Sequence, residues 1–142
     1  MPKIELKRVQ EDFGFDITDE YGNIVKMDSS PQSGGKDYGV RPMQALLMGL
    51  AGCSAIDVIS ILKKQRQEIV DYKMVVNGER EPNVEPSLWK DINIEFHLYG
   101  NIDQEKAQKA ADLSVGKYCS VAATLAIAGA DIKYQVFVYP TT

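Results

Sequence analysis

Residues Pro42 to Leu62 read PMQALLMGLAGCSAIDVISIL, and no other stretch limits the fold as strongly. Asp57 is the only charged residue in this run, and Cys53, one of two cysteines in the chain, stands near its middle. A run this apolar spans a membrane, packs one side against a surface, or is covered all round in a core or between subunits. Gln44, Ser54, Asp57 and Ser60 interrupt it, and an Asp at mid-bilayer costs about 2.5–3.5 kcal/mol. Apolar residues also project to every side, which argues against a one-sided surface helix. The expectation is a buried central helix and no membrane span.

The length of 142 residues suits a single domain, 1–142, with room for a real core. An apolar content of 44% and a charged content of 25% are ordinary for a soluble protein. The net charge is −4, and the largest basic cluster, Lys63, Lys64 and Arg66, follows the central helix where cations complement its dipole. No nucleic-acid partner is expected. The N-terminal MPKIELKRVQEDF lacks the apolar core of a signal peptide, so a cytoplasmic location is expected. In a reducing compartment, two cysteines this far apart do not read as a structural staple. No CxxC pair or histidine cluster accompanies them, so no metal is expected either.

Taken in order, Lys3 to Val9 alternates, with Ile4 and Leu6 on one face, and predicts a half-buried strand. FGFDIT places Phe13, Phe15 and Ile17 together and predicts a second, paired with the first as a hairpin. Ile24 to Met27 predicts a short third. SSPQSGGKDY, residues 29–38, is a loop rich in turn formers. Pro42 suits the first position of the central helix, since its missing N–H would have no partner there. That helix is expected to reach about Gln67. Gly49 and Gly52 each weaken a helix by about 0.8–1.0 kcal/mol relative to Ala. They therefore point to close backbone approach or to a break just before Cys53.

A strand through Tyr72 to Val76 follows, then a charged connection, then the alternating INIEFHLY. Ile92, Ile94, Phe96 and Leu98 face inward; Asn93, Glu95, His97 and Tyr99 face outward. His97 is the only histidine, and its outward face makes it a poor catalytic base. Asp103 is a good N-cap for a helix over about 104–115. Cys119 falls at, or just before, the first turn of a short helix ending near Gly129. Ile132 to Tyr139 predicts the last strand. The sum is an α+β domain with mostly antiparallel sheet folded around helices.

A thiol reacts as its thiolate, which a helix N-terminus or a neighbouring cation favours. If the central helix is continuous, Cys53 lies mid-helix with the Asp57 carboxylate one turn on, a setting that keeps a thiol inert. If the glycines break it, Cys53 falls in the first turn of a new helix. Cys119 has such a placement without further assumption. Both thiols stay open as reactive or inert on this ground. No G-x-G-x-x-G or P-loop occurs, so no nucleotide cofactor is expected. Cys–His hydrolysis lacks its histidine.

The helix RPMQALLMGLAGCSAIDVISIL, with Tyr72 to Arg80, Trp89 to Gly100 and LSVGKYCSVAATL, resembles the OsmC/Ohr family of thiol peroxidases over nearly the whole chain. The resemblance implies an OsmC-like fold and an intertwined homodimer, with the two central helices packed in its middle. It implies that Cys53 reduces a hydroperoxide, organic ones included, and becomes a sulfenic acid. Cys119 then condenses with it to a disulfide that an external dithiol reductant reopens, in defence against oxidative stress. No bound cofactor is implied. The family's Glu after the helix-starting proline is Met43 here, followed by Gln44. Its Arg in the N-terminal hairpin turn is unmatched in QEDFG, and Arg8 and Arg41 are the nearest cations to stabilise a thiolate.

Two further readings stand beside the peroxidase. One is a non-catalytic protein holding a small apolar molecule in a pocket lined by Met43, Gln44, Met48 or Trp89. The other makes both cysteines packing residues. A dimer also has its own physical motive, because one small sheet supplies too little cover for a helix apolar all round.

Overall fold

The computed structural model describes residues 1–141. Among these residues the mixed α+β architecture has two three-stranded sheets and three α-helices. The residues form two compact units, Met1–Leu46 and a second beginning at Leu47, with the longest helix starting in the first and running on into the second.

In the first unit, β1 (Glu5–Gln10), β2 (Gly14–Thr18) and β3 (Ile24–Met27) pair antiparallel in the order β1-β2-β3. A register shift between Arg8 and Gln10 marks a bulge beside the first turn. Phe13 falls in that turn rather than in β2. The strands are where their alternation places them, but β1 is not half-buried. Every β1 residue is exposed, and Ile4 and Leu6 keep 66% and 58% of their surface. The loop after β3 is organised by Asp28, a buried carboxylate that accepts the N–H groups of Ser29, Lys36 and Tyr38. Those bonds, Lys36's first, hold its carboxyl below the ordinary carboxylate value.

Helix α1 (Pro42–Lys64) is continuous. It ends three residues before the expected Gln67 because Arg66 takes a left-handed conformation, φ 59°. The Gln67 N–H then reaches back to the Leu62 carbonyl and the Arg66 N–H to that of Lys63, closing the last turn. Gly49 and Gly52 produce no break, and within one chain they produce no tight approach either. A Cβ at Gly49 would meet the Val121 side chain at an ordinary 4.0 Å, and one at Gly52 would meet nothing. The helix buries one stripe, Leu50, Ser54, Val58 and Leu62, at i, i+4 spacing. Each of the three aliphatic side chains contributes about 1.5–3 kcal/mol by this burial. Another face stays uncovered: Met48, Ile56 and Ile59 expose 50%, 68% and 39% of their surface. α1 is long and apolar enough to cross a membrane by length and composition alone, a test that the core helix of a soluble protein also passes.

Strands β4 (Glu68–Arg80) and β5 (Trp89–Asn101) form a long antiparallel pair, and β6 (Asp131–Tyr139) lies on the other side of β5. The β5–β6 pair is parallel, an exception within the otherwise antiparallel sheets. Parallel neighbours need a crossover of a dozen or more residues, and the helical segment between them supplies it. Ile92, Ile94, Phe96 and Leu98 line the buried face of β5, as their alternation predicts. His97 is not a plain surface residue. It stacks on Phe137 and Tyr139 and hydrogen-bonds the Tyr139 hydroxyl at 2.8 Å.

The crossover holds α2 (Gln104–Leu113), a one-turn π-helical segment (Ser114–Tyr118) and α3 (Ser120–Ile127). Asp103 caps α2 by accepting the Lys106 N–H at 3.1 Å, as expected from sequence. Ala107, Ala110 and Ala111 bury the inner side of α2, and Ser114 continues that stripe into the π turn.

Candidate functional site

The site is built where the crossover meets α1. Cys53 projects from the middle of α1 and is half-buried; Asp57, one turn later, leaves the same face and is half-buried too. Cys119 comes from 66 residues further along the chain, and it is 2% exposed. The π turn delivers it: the Cys119 N–H bonds the Ser114 carbonyl at 2.8 Å, and Cys119 becomes the N-cap of α3. Its sulfur accepts the Ala122 N–H at 3.3 Å. Both cysteines are free thiols. The two sulfurs and one Asp57 carboxylate oxygen all lie within 4.8 Å of one another.

The placement of Cys119 at a helix start does not make it acidic. Burial comes first and the neighbouring Cys53 thiol second, and together they outweigh the Ala122 N–H and push its pKa up to about 11. At neutral pH Cys119 is a protonated thiol. Beside it opens a pocket of about 450 Å³, whose walls include Cys119, Ala122, Ala126, Ile132 and Tyr134.

Two polar residues complete the arrangement: Ser54, noted from sequence only as an interruption of the apolar run, and Ser114, which the sequence did not single out. Ser114, fully buried, donates its hydroxyl to Asp57 Oδ2 at 3.0 Å. Ser54, fully buried on α1, turns its hydroxyl back to the Leu50 carbonyl at 2.7 Å. The signal available for both was a serine interrupting an apolar helical stripe, which demands a hydrogen-bond partner.

The other candidate residues stand elsewhere on the elements. Arg8 is in β1, Arg41 directly precedes α1, and Met43 and Gln44 form part of its first turn. Trp89 opens β5, where its ring lies against Gly78 and under the Arg80 guanidinium, 5.8 Å from the ring centre. A Cβ at Gly78 would come within 2.8 Å of that ring, so glycine is what lets the indole approach β4 this closely. The residues that the structure draws together are thus Cys53, Asp57, Cys119 and Ser114.

A family model described as OsmC-like protein matches residues 34–135. The chain is 42% identical over 105 residues to Protein YhfA of Escherichia coli strain K12, covering 73% of this chain and 75% of that one. Its fold is similar to that of an OsmC-like protein from Mycoplasma pneumoniae, with TM-score 0.80 and 20% identity over 98% of this chain and 97% of the other. It is also similar to the organic hydroperoxide resistance protein OhrB of Bacillus subtilis, with TM-score 0.63 and 18% identity over 96% and 98% of the two chains.

Proposed function

Because the chain belongs to the family of OsmC-like proteins, we propose that it is a thiol peroxidase in which Cys53 reduces an organic hydroperoxide and Cys119 resolves the product. The observation that carries this reading is the approach of the two sulfurs to within 4.8 Å, across 66 residues of sequence. The name of the OhrB neighbour supports the substrate class.

The asymmetry of the pair supports this division of roles. Cys53 is half-buried, whereas Cys119 is buried and its pKa is raised. Because α1 is unbroken, Cys53 lies mid-helix beside Asp57 and lacks the helix-start placement that favours a thiolate, so its role rests on the family and on its approach to Cys119. The Cys53 thiolate attacks the peroxide O–O bond; the alcohol leaves with a proton from solvent, and Cys53 becomes a sulfenic acid. The Cys119 sulfur then attacks the Cys53 sulfur. The sulfenic hydroxyl departs with the Cys119 proton as water, and a disulfide forms. An external dithiol reductant restores both thiols by exchange. The same reading places the protein in a reducing, cytoplasmic compartment. The first turn of α1 carries Met43 and Gln44 but no acid. A positioned donor is commonly worth about 10²–10³ in rate, so turnover is expected to be slow by that margin.

The dimer belongs to this proposal. Met48, Ile56 and Ile59 of α1 are uncovered in one chain, and Gly52 between them leaves room for a second helix to approach closely. A second copy packed there covers the uncovered face of the apolar run from Pro42 to Leu62.

The pocket beside Cys119 favours one alternative, a small apolar ligand held without turnover. One experiment separates the two: reduced protein is treated with excess tert-butyl hydroperoxide and its free thiols are counted by mass spectrometry. The expected result is loss of both thiols to a Cys53–Cys119 disulfide, abolished in Cys53→Ser. Unchanged thiol content overturns the peroxidase reading.

A further inference from the structure

Peroxide reduction uses the two sulfurs of the site and leaves Asp57 without a task. Cys53 and Asp57 are four residues apart on α1, so their side chains rise from one face one turn apart, a spacing that places two ligands on one metal. Cys119 meets that face from a different element, the N-cap of α3. The three candidate ligand atoms lie within 4.8 Å of one another. A tetrahedral zinc ion, with Zn–S about 2.3 Å and Zn–O about 2.0–2.2 Å, sets such atoms roughly 3.5–4 Å apart. A rotation about the side-chain bonds closes that gap.

The surroundings also suit a metal. Ser114 donates to Asp57 Oδ2 at 3.0 Å, the kind of outer hydrogen bond that orients a ligating carboxylate. The Ala122 N–H points at the Cys119 sulfur, where it supports a negative thiolate. Two thiolates and one carboxylate select a soft, thiophilic divalent cation over magnesium or calcium. The sequence conceals this set, since its ligands follow neither a CxxC nor a histidine spacing.

We propose that in the reduced protein Cys53, Asp57 and Cys119 form a three-ligand site for a divalent cation of the zinc class, with the fourth position open to water. Binding displaces the two thiol protons to solvent and transfers no electrons. Because the same sulfurs form the disulfide, metal and disulfide exclude each other, and bound metal shields the thiols from peroxide. The inference rests on the same reduced thiol pair as the peroxidase reading but not on its reactivity with peroxide.

The test titrates reduced, metal-free protein with Zn²⁺ against a chromophoric chelator, and with Co²⁺ followed by absorption. The expected result is one ion per chain, release of two protons, and a tetrahedral cobalt spectrum with thiolate charge-transfer bands. Asp57→Asn weakens binding at least about 10-fold and Ser114→Ala about 10–100-fold, the range for outer-shell partners. The disulfide form takes up no metal. Circular dichroism establishes that each variant is folded, and wild type against its own disulfide form needs no variant at all. Absence of stoichiometric binding, an octahedral cobalt spectrum, or undiminished affinity in both variants overturns the site. If metal binding fails while peroxide still forms the disulfide, the peroxidase reading survives alone. If metal binds but peroxide leaves metal-free thiols intact, the peroxidase reading falls and the metal site stands.

Discussion

The Ser114 hydroxyl donates a hydrogen bond to the Asp57 carboxylate at 3.0 Å, joining the π turn of the crossover to the middle of α1. The turn that makes this bond is the one that swings Cys119 into its N-cap position, five residues on from Ser114. Removing the hydroxyl in Ser114→Ala leaves a half-buried carboxylate without that donor. The expected cost is about 1–3 kcal/mol in urea-unfolding stability. A loss below a few tenths of a kcal/mol would show the bond to be replaced by water.

Cys119 carries its own pH signature. Its pKa is raised to about 11 in the folded protein, against about 8.5 for a free thiol. A raised value favours the protonated form in the native state. Its contribution is therefore fully present below about pH 8.5, and it is lost as pH rises toward the folded value near 11. Reduced protein should lose stability across that window, and Cys119→Ala should lose less. Native-state alkylation of Cys119, followed in Cys53→Ser, should accelerate with pH throughout the same range. A plateau already at pH 9 would contradict the burial argument.

Much of this was legible where local rules decide. The bounds of β3, the Asp103 cap, the inward face of β5 and the position of Cys119 before a short helix follow from spacing and capping chemistry. What stayed hidden depends on tertiary partners. Alternation assigns β6 as a strand but is silent on its parallel pairing with β5. The helix expected over about 104–115 gives no sign of the π turn over Ser114–Tyr118 that follows it. The helix-start placement of Cys119 left its thiol open as reactive or inert, and burial, which depends on tertiary partners, decides the direction of its pKa. The approach of Cys53 to Cys119 was implied by resemblance, since no residue between them encodes it. Ser114 needed its partner to be seen before it had a role.

Asp28 gives the opposite pH sign. The N–H groups of Lys36, Tyr38 and Ser29 hold its carboxyl below the ordinary value. A depressed value contributes stability above the unfolded carboxylate pKa of about 3.9, and that contribution is lost as pH falls through the folded value. The expected outcome is that amide exchange at Lys36 and Tyr38 quickens below about pH 4, relative to the intrinsic rate. Asp28→Asn should bring the same loosening at neutral pH. Protection unchanged in that variant would show the loop to be held by other bonds.

The uncovered stripe of α1 decides between a helix that a second copy covers and one that stays bare. Ile56 exposes 68% of its surface at the middle of that stripe, one turn beyond Gly52. Burying such a side chain against a partner is worth about 1.5–3 kcal/mol, and a charge forced into the same apolar contact reverses the sign. Ile56→Lys is therefore expected to convert a dimer into a monomer at micromolar concentration in sedimentation equilibrium. The fold of each chain should survive, because Ile56 makes no part of the buried stripe Leu50, Ser54, Val58 and Leu62. Leu50→Ala is the contrasting variant. It should cost about 2–5 kcal/mol of chain stability through a core cavity while leaving the exposed stripe, and with it the proposed dimer contact, in place. A wild-type protein that sediments as a monomer at those concentrations would remove the dimer and, with it, the cover proposed for the apolar run.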